Sequence, residues 1–251
     1  TSDNQVIQTY YSASRLGTAT EYTDFMIGKS SRKFTSSNYG YIAKDIIRTQ
    51  AEVDAILAKN PNYKIDGQVP KVGFLDYVDV NNDGIIDGKD IVPMFDNVAT
   101  RISFGISLGV SYKTFKLSTS ISLAVGGKKF YDSEARKVPT TNQTAAAFWA
   151  DHWTPENPNA KYPRADAPLA KENSTFWAVD GTTGRVNNMT LSYSLPKSIS
   201  EKLKIPDFRA FVTGTNLWNI INPYKYKDPA TGNFASYPTI RTISLGLNVT
   251  L

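Results

Sequence analysis

An all-β fold is predicted for this chain, built from strands that cross a membrane within an antiparallel barrel, and three features carry the prediction. Several segments alternate large apolar with small or polar side chains, the period-two signature of a strand with two unlike faces. Each runs for roughly 9–11 residues, the length a tilted strand needs to cross bilayer hydrocarbon. The connections between them alternate long and short, as they do in barrels with long outer loops and tight inner turns.

The elements follow in chain order. Thr49-Gln-Ala-Glu52 is a capping box that opens a helix to about Lys59, with Val53, Ile56 and Leu57 as its apolar stripe and Asn60-Pro61 as its stop. Gly73-Phe-Leu-Asp-Tyr-Val78 reads as a short strand. Arg101–Tyr112 places Ile102, Phe104, Ile106, Leu108, Val110 and Tyr112 on one face, against Ser103, Gly105, Ser107, Gly109 and Ser111. After a turn at Lys113-Thr114, Phe115–Val125 repeats the pattern, so the two form a hairpin. Asn187–Leu195 is a shorter version, stopped by Pro196. Phe208–Trp218 is a strand by composition, but both of its faces are mixed. Ile243–Leu251 closes the chain with a wholly aliphatic row opposite Ser244, Gly246, Asn248 and Thr250.

Counted back from the end, the connections are 219–240, 196–207, 126–186 and 113–114, a long, short, long, short order. If Leu251 ends at the periplasm, the long ones lie outside the cell, together with everything before Arg101. Residues 1–100 are therefore expected to be an extracellular loop region, and 101–251 closing barrel strands with their loops.

Composition is compatible with this. The chain has 251 residues, of which 41% are hydrophobic, 12% aromatic and 20% charged. No apolar run approaches the ~18 residues of a helical span. There is no cysteine, and a net charge of +5 comes from dispersed Lys and Arg without a nucleic-acid motif. Thr1-Ser-Asp-Asn4 shows no initiator Met and no export signal. Five strands also fall short of the roughly eight that the smallest barrels need. The sequence is thus expected to be the C-terminal part of a longer polypeptide.

Asp79-Val-Asn-Asn-Asp-Gly-Ile-Ile-Asp-Gly-Lys-Asp90 has the spacing of an EF-hand calcium loop. Asp79, Asn81 and Asp83 would offer side-chain oxygens, Ile85 its carbonyl, Asp87 a direct or water-mediated contact, and Asp90 the closing carboxylate. Gly84 permits the sharp turn. An all-oxygen set favours Ca2+, as a structural ion that stiffens an extracellular loop. Asp90 replaces the usual Glu, with shorter reach. The flanks depart from an EF-hand, because a strand precedes the loop and Pro93 cuts short any exiting helix. The metal-free alternative is a turn whose Asn and Asp side chains cap their own backbone.

No catalytic constellation stands out. His152, the single histidine, has no Ser or Cys partner motif, and Asp151 and Glu156 read as loop carboxylates. An enzyme is not expected. Trp149, Trp153 and Trp177 would either stack on a sugar or peptide or pack their own loop.

Several segments together carry a family resemblance. They are Gly28-Lys-Ser30, Gly40-Tyr-Ile42, Gln50-Ala-Glu-Val-Asp54, Tyr77-Val-Asp-Val-Asn-Asn-Asp-Gly84, Trp153-Thr-Pro-Glu-Asn-Pro158 and Tyr162-Pro-Arg164. Val186-Asn-Asn-Met-Thr-Leu-Ser-Tyr-Ser-Leu-Pro196, Gly214-Thr-Asn-Leu217, Tyr237-Pro238 and Arg241–Leu251 extend it to the chain end. In this combination the chain resembles the C-terminal portion of SusC/RagA-type TonB-dependent outer-membrane transporters.

The resemblance implies a barrel of about 22 strands with a plugged lumen. The plug, the signal and the segment contacted by TonB would belong to the missing N-terminal part. It also implies a SusD-like surface lipoprotein as a lid, import of glycans or peptides, and residence among the lipids of a Gram-negative, Bacteroidota-like outer membrane. Leu251 departs from the aromatic residue with which such barrels more often end, so recognition of the last strand during assembly is expected to be weaker. The rival reading is a secreted calcium-stabilised carbohydrate-binding or dockerin-like module. It leaves the Ser- and Gly-rich strand faces unexplained, and dockerins normally carry two such loops.

Overall fold

A computed structural model describes residues 5–6, 29–30, 38–138, 145–205, 207–224, 227–231 and 233–250. They fall into two compact units, one made of connections and one made of a sheet. Gly28 and Leu251 of the sequence motifs lie outside the described residues.

The connection unit gathers residues up to Ala99 with Gly127–Asp180 and Asn233–Ser236. Helix α1 (Gln50–Lys59) begins where the capping box predicts. Thr49 accepts the Glu52 amide, while Glu52 reaches past the cap to accept the Arg48 amide at 2.7 Å. Its C-terminus closes as the Asn60 amide donates to Ile56 O. Of the apolar stripe, Val53 is buried and Ile56 and Leu57 are half-buried against the same cluster. That cluster joins Tyr41, Ile46, Ile47, Tyr63, Ile65, Phe74, Leu75, Tyr77 and Ile86. Short ladders frame it: Ala43–Ile46 pairs antiparallel with Leu75–Tyr77, and Lys64–Ile65 pairs parallel with Ile85–Ile86. The strand predicted over 73–78 thus forms at its centre.

The second unit is one five-stranded sheet. Its strands are β1 (Ile102–Tyr112), β2 (Phe115–Val125), β3 (Thr183–Ser194), β4 (Asp207–Ile221) and β5 (Thr242–Thr250). They follow one another across the sheet in sequence order, every pair antiparallel. Helix α2 (Lys197–Leu203) sits in the connection between β3 and β4.

Two predicted strands are corrected in extent. β3 starts at Thr183 rather than Asn187, and β4 runs to Ile221 rather than Trp218. The reason is bulges, which break the alternation that sequence reading depends on. The β2–β3 register shifts between Ser120 and Ile121, where Asn187 is the extra residue. The β3–β4 register shifts again near Asn216, which adopts a left-handed φ of 52°. Each bulge flips the parity of everything beyond it. This is why β4 reads as mixed on both faces.

Candidate functional site: a two-faced sheet and an acidic loop

Following the register across the sheet sorts its side chains into two faces. One face carries rows such as Val110, Leu117, Leu191, Val212 and Leu245, and below it Tyr112, Phe115, Tyr193, Ala210 and Leu247. Most of these side chains are exposed, with 85% of Leu245, 71% of Leu247 and 65% of Val110 accessible, while Tyr193, Ala210 and Val212 are half-buried. So much contiguous aliphatic surface requires an apolar neighbour. Aromatic residues mark both ends of this face. Phe115 and Tyr193 meet at 5.0 Å beside Tyr112, and Phe104 and Trp218 lie at the opposite end. That distribution matches the aromatic girdles of membrane barrels.

The other face is small and polar. Ser103, Gly105, Ser120, Ser122, Thr190, Thr213 and Ser244 occupy it by register. Gly246 serves a close approach here, because a Cβ would stand 2.3 Å from the Phe211 ring. The bulge at Asn187 puts Arg185 on this face, opposite Ser122. Without it, the guanidinium would project among the aliphatic rows.

Arg185 anchors the loop that follows β4. Its guanidinium donates to both Asp228 carboxylate oxygens at 3.0 Å and to Asn219 Oδ1 at 3.0 Å. Asp228 also accepts the Ala230 amide at 3.0 Å and the Thr239 amide at 3.1 Å. Burial alone would push its carboxyl up, but hydrogen bonds from Thr239 and Ala230 and the charge of Arg185 bring it down to about 2. The knot holds Pro229 and Ala230 over the small face, where they line an open pocket of about 500 Å³ with Ser103, Gly105, Ser122 and Thr183. Period-two reading does not find this site, since the bulge that builds it is the feature that breaks the period.

The connections segregate by length as expected. The turn at 113–114, the segment carrying α2 and the end of β5 lie at one end of the sheet, and the connections after β2 and β4 leave from the other.

In the acidic loop all the predicted positions are placed. Asp79 Oδ2 accepts the Gly84 amide at 2.7 Å, Asn81 Oδ1 the Asp83 amide at 3.0 Å, and Asp83 Oδ1 the Ile85 amide at 2.9 Å. Gly84 takes a φ of 84°, as the turn requires. Asp87 caps a single 3-10 turn over Gly88–Asp90, which replaces an exiting helix. Asp90 is fully buried and accepts the Val80 amide at 2.8 Å and the Asp87 amide at 2.9 Å. Burial foremost, with the Asp79 charge in addition, raises its carboxyl above the ordinary range despite those amides.

Two features of the loop fit a hard cation. Asp79 Oδ1 is buried without a partner. The Ile85 carbonyl lies between Gly84 O and Ile86 O, which accept the Lys64 and Asp66 amides of the neighbouring strand. Against this, no three His, Asp or Glu side chains among the described residues are drawn together as a metal cluster. Lys89 Nζ also stands 3.4 Å from Asp83 Oδ2.

The loop tryptophans pack. Trp149 and Trp177 are buried, with their indole N–H groups donating to Ala135 O at 3.2 Å and Ala170 O at 2.9 Å. Phe148, Tyr131 and Tyr162 surround them. Trp153 lies under the Arg164 guanidinium. His152 Nδ1 is 2.6 Å from Trp149 O, and Asp151 accepts from Asn157 Nδ2 at 3.2 Å, so both serve the same loop.

No family model matches the chain. Among curated proteins it is 29% identical to TonB-dependent receptor P26 of Formosa agariphila, over 91% of this chain and 23% of that protein. It is 24% identical to TonB-dependent receptor P3 of the same organism, over 69% of this chain and 18% of that protein. Two solved structures share the fold. One, of the RagAB peptide transporter, gives a TM-score of 0.58 at 18% identity, covering 84% of this chain and 22% of that chain. The other, of the RagAB peptide importer in its closed-closed state, gives 0.56 at 18% identity, covering 90% of this chain and 23% of that chain. The chain thus spans less than a quarter of the length of the relatives it matches. The resemblance to SusC/RagA-type TonB-dependent transporters, and the all-β class, are borne out by these comparisons, and the relatives carry the names of receptors rather than enzymes.

Proposed function

We propose that this chain, a segment of a SusC/RagA-type TonB-dependent transporter, supplies spanning strands and outer loops to a barrel that imports glycans or peptides across the outer membrane. The observation that supports this most is the sheet itself: a meander with one aliphatic face, one small polar face, and long connections confined to one end. In the whole protein the aliphatic face would meet lipid, and the small face would line a plugged lumen. Energy would come from TonB through the part preceding these strands, with a SusD-like lipoprotein over the loops. The segment does no covalent chemistry in this reading.

Extraction tests it directly. The full-length product should leave membranes only with detergent and migrate differently on a gel before and after heating; a freely soluble product overturns the reading. Growth of a deletion strain on defined glycans and peptides identifies the cargo class.

In the same reading, the loop from Asp79 to Asp90 takes a structural Ca2+. The support is the unpartnered Asp79 oxygen, which a divalent cation would satisfy while relieving the crowding of Asp79 and Asp90. Chelation should expose the segment between residues 75 and 95 to limited proteolysis, and unchanged cleavage removes calcium from the account.

A further inference from the structure

We propose that the end of the sheet with short connections forms a seat for one phosphate-headgroup lipid, its acyl chain in a groove on the aliphatic face and its headgroup against the lysines of α2 and its C-cap. The inference rests on the barrel reading above. Two features of the molecule, a groove and a helix, lie at that end.

The groove follows from one small residue. Across the sheet, Ala210 is flanked in register by Tyr193 and Leu247. A methyl between two large side chains leaves a trough, and Phe115, Leu191 and Leu245 extend it to an open, shallow groove of about 730 Å³. Its accessible surface is overwhelmingly apolar, a lining that suits a hydrocarbon chain and no polar ligand.

The helix is anomalous for one in water. It has seven residues, none of them buried. Isolated helices shorter than about 12 residues are marginal, and helices in proteins normally gain stability by burying an apolar face. Here Ile199 and Leu203, four residues apart, are 42% and 57% exposed. At 3.6 residues per turn they fall on the opposite side from Lys197 and Glu201, and Lys204 caps the helix end in a left-handed conformation with φ 54°. Lys202 flanks the apolar pair, and all three lysines are exposed. An apolar edge with a lysine-rich polar side is the pattern of a helix lying in a membrane interface.

The chain joins the two features. β3 and β4 line the groove at Tyr193 and Ala210, and they lead directly into the connection that carries α2, where the Leu195 amide donates to Phe208 O at 3.0 Å. The groove residue of β3 lies one residue from that strand's end and that of β4 three residues from its start, so the groove opens toward the connection. A lipid seated there places its anionic phosphate at the level where lysine side chains reach an interface. The other source of such chemistry, free phosphate, would leave both the groove and the Ile199–Leu203 edge unused.

The test uses the full-length transporter in vesicles, with an environment-sensitive fluorophore on Leu203→Cys and, as a separate preparation, on Leu108→Cys. Zwitterionic vesicles are doped with phospholipids brominated on the acyl chain, either anionic or zwitterionic in headgroup. Quenching at 108 reports the barrel, and quenching at 203 reports the seat. The expected result is quenching at both, with anionic lipid favoured at 203 by about five-fold, the ratio that ~1 kcal/mol of lysine–headgroup attraction gives. The preference should be lost when Lys197, Lys202 and Lys204 become Gln, and quenching at 203 should weaken in A210F, which fills the trough. Quenching at 108 without quenching at 203 overturns the seat and leaves the barrel standing. Absence of quenching at 108 overturns the barrel reading and the seat together. Quenching at 203 that ignores headgroup charge and the A210F substitution shows general immersion and also overturns the seat.

Discussion

The two units handle apolar side chains in opposite ways. In the connection unit Trp177 is 1% exposed and Ile65 is fully buried, whereas Leu245 in the sheet is 85% exposed. The first unit brings segments distant in sequence around a common core, as the Tyr41 amide donating to Asn173 O illustrates. The second is a single-layered sheet whose apolar face is largely exposed among the described residues. A lone sheet with one mainly apolar face gains little stability in water, since burial needs a second layer. The contrast teaches that one unit is built for water and the other for a solvent that is itself apolar.

The largest blow to the water-adapted unit is Trp177→Ala. Loss of a buried indole that also donates to Ala170 O should cost about 4 kcal/mol. If these connections face the cell exterior as proposed, limited proteolysis of intact cells should show them becoming labile while barrel assembly persists. If the strands fail to assemble too, the two units are not energetically separate.

For the membrane-adapted unit the corresponding substitution is Leu108→Arg, expected to cost about 3 kcal/mol near mid-membrane. Ser107→Arg, one residue away on the small face, should cost much less in the same heat-modifiability assay. Equal costs at the two positions would mean that the faces are not distinct.

Asp228 tests a junction of polar chemistry within the sheet unit. Asp228→Ala leaves the Arg185 guanidinium without its main acceptor and should destabilise the pinned loop by about 3 kcal/mol, read by hydrogen exchange at 227–231. Because its carboxyl is held down to about 2, below the ~3.9 of an unfolded chain, its stabilisation is complete above about pH 4. It should fade as pH falls from about 4 through about 2. A pinned loop indifferent to that window removes the Asp228 account.

The smallest expected effect is in the acidic loop. Lys89→Ala removes a cation 3.4 Å from Asp83 and should tighten Ca2+ binding several-fold by calorimetry. No change, or no Ca2+ binding in either form, would count against the proposed calcium loop.

Much of the spanning sheet was legible because alternation is local: β1 and β2 read almost to the residue, as did the helix from its Thr49 and Glu52. The acidic loop was equally legible from spacing, since Gly84 and its neighbours act within twelve residues. The early part of β3 was not, because Asn187 breaks the period there, and with it went the placement of Arg185 and its knot with Asp228. The connection unit was legible only as loops. Its core has no local period, and the Thr175 hydroxyl bridging the Ala43 amide and carbonyl lies 132 residues away in sequence.

The sequence by itself therefore determined which segments alternate, which connections are short, and where a tight acidic turn sits. These depend on neighbours within one strand, turn or helix. Tertiary structure alone decided which face Arg185 joins, that Trp149 and Trp177 are core rather than ligand platforms, and where Ala210 opens a groove. Each of those depends on which strand lies alongside in which register, and register is set by pairing between segments rather than by the residues of either one.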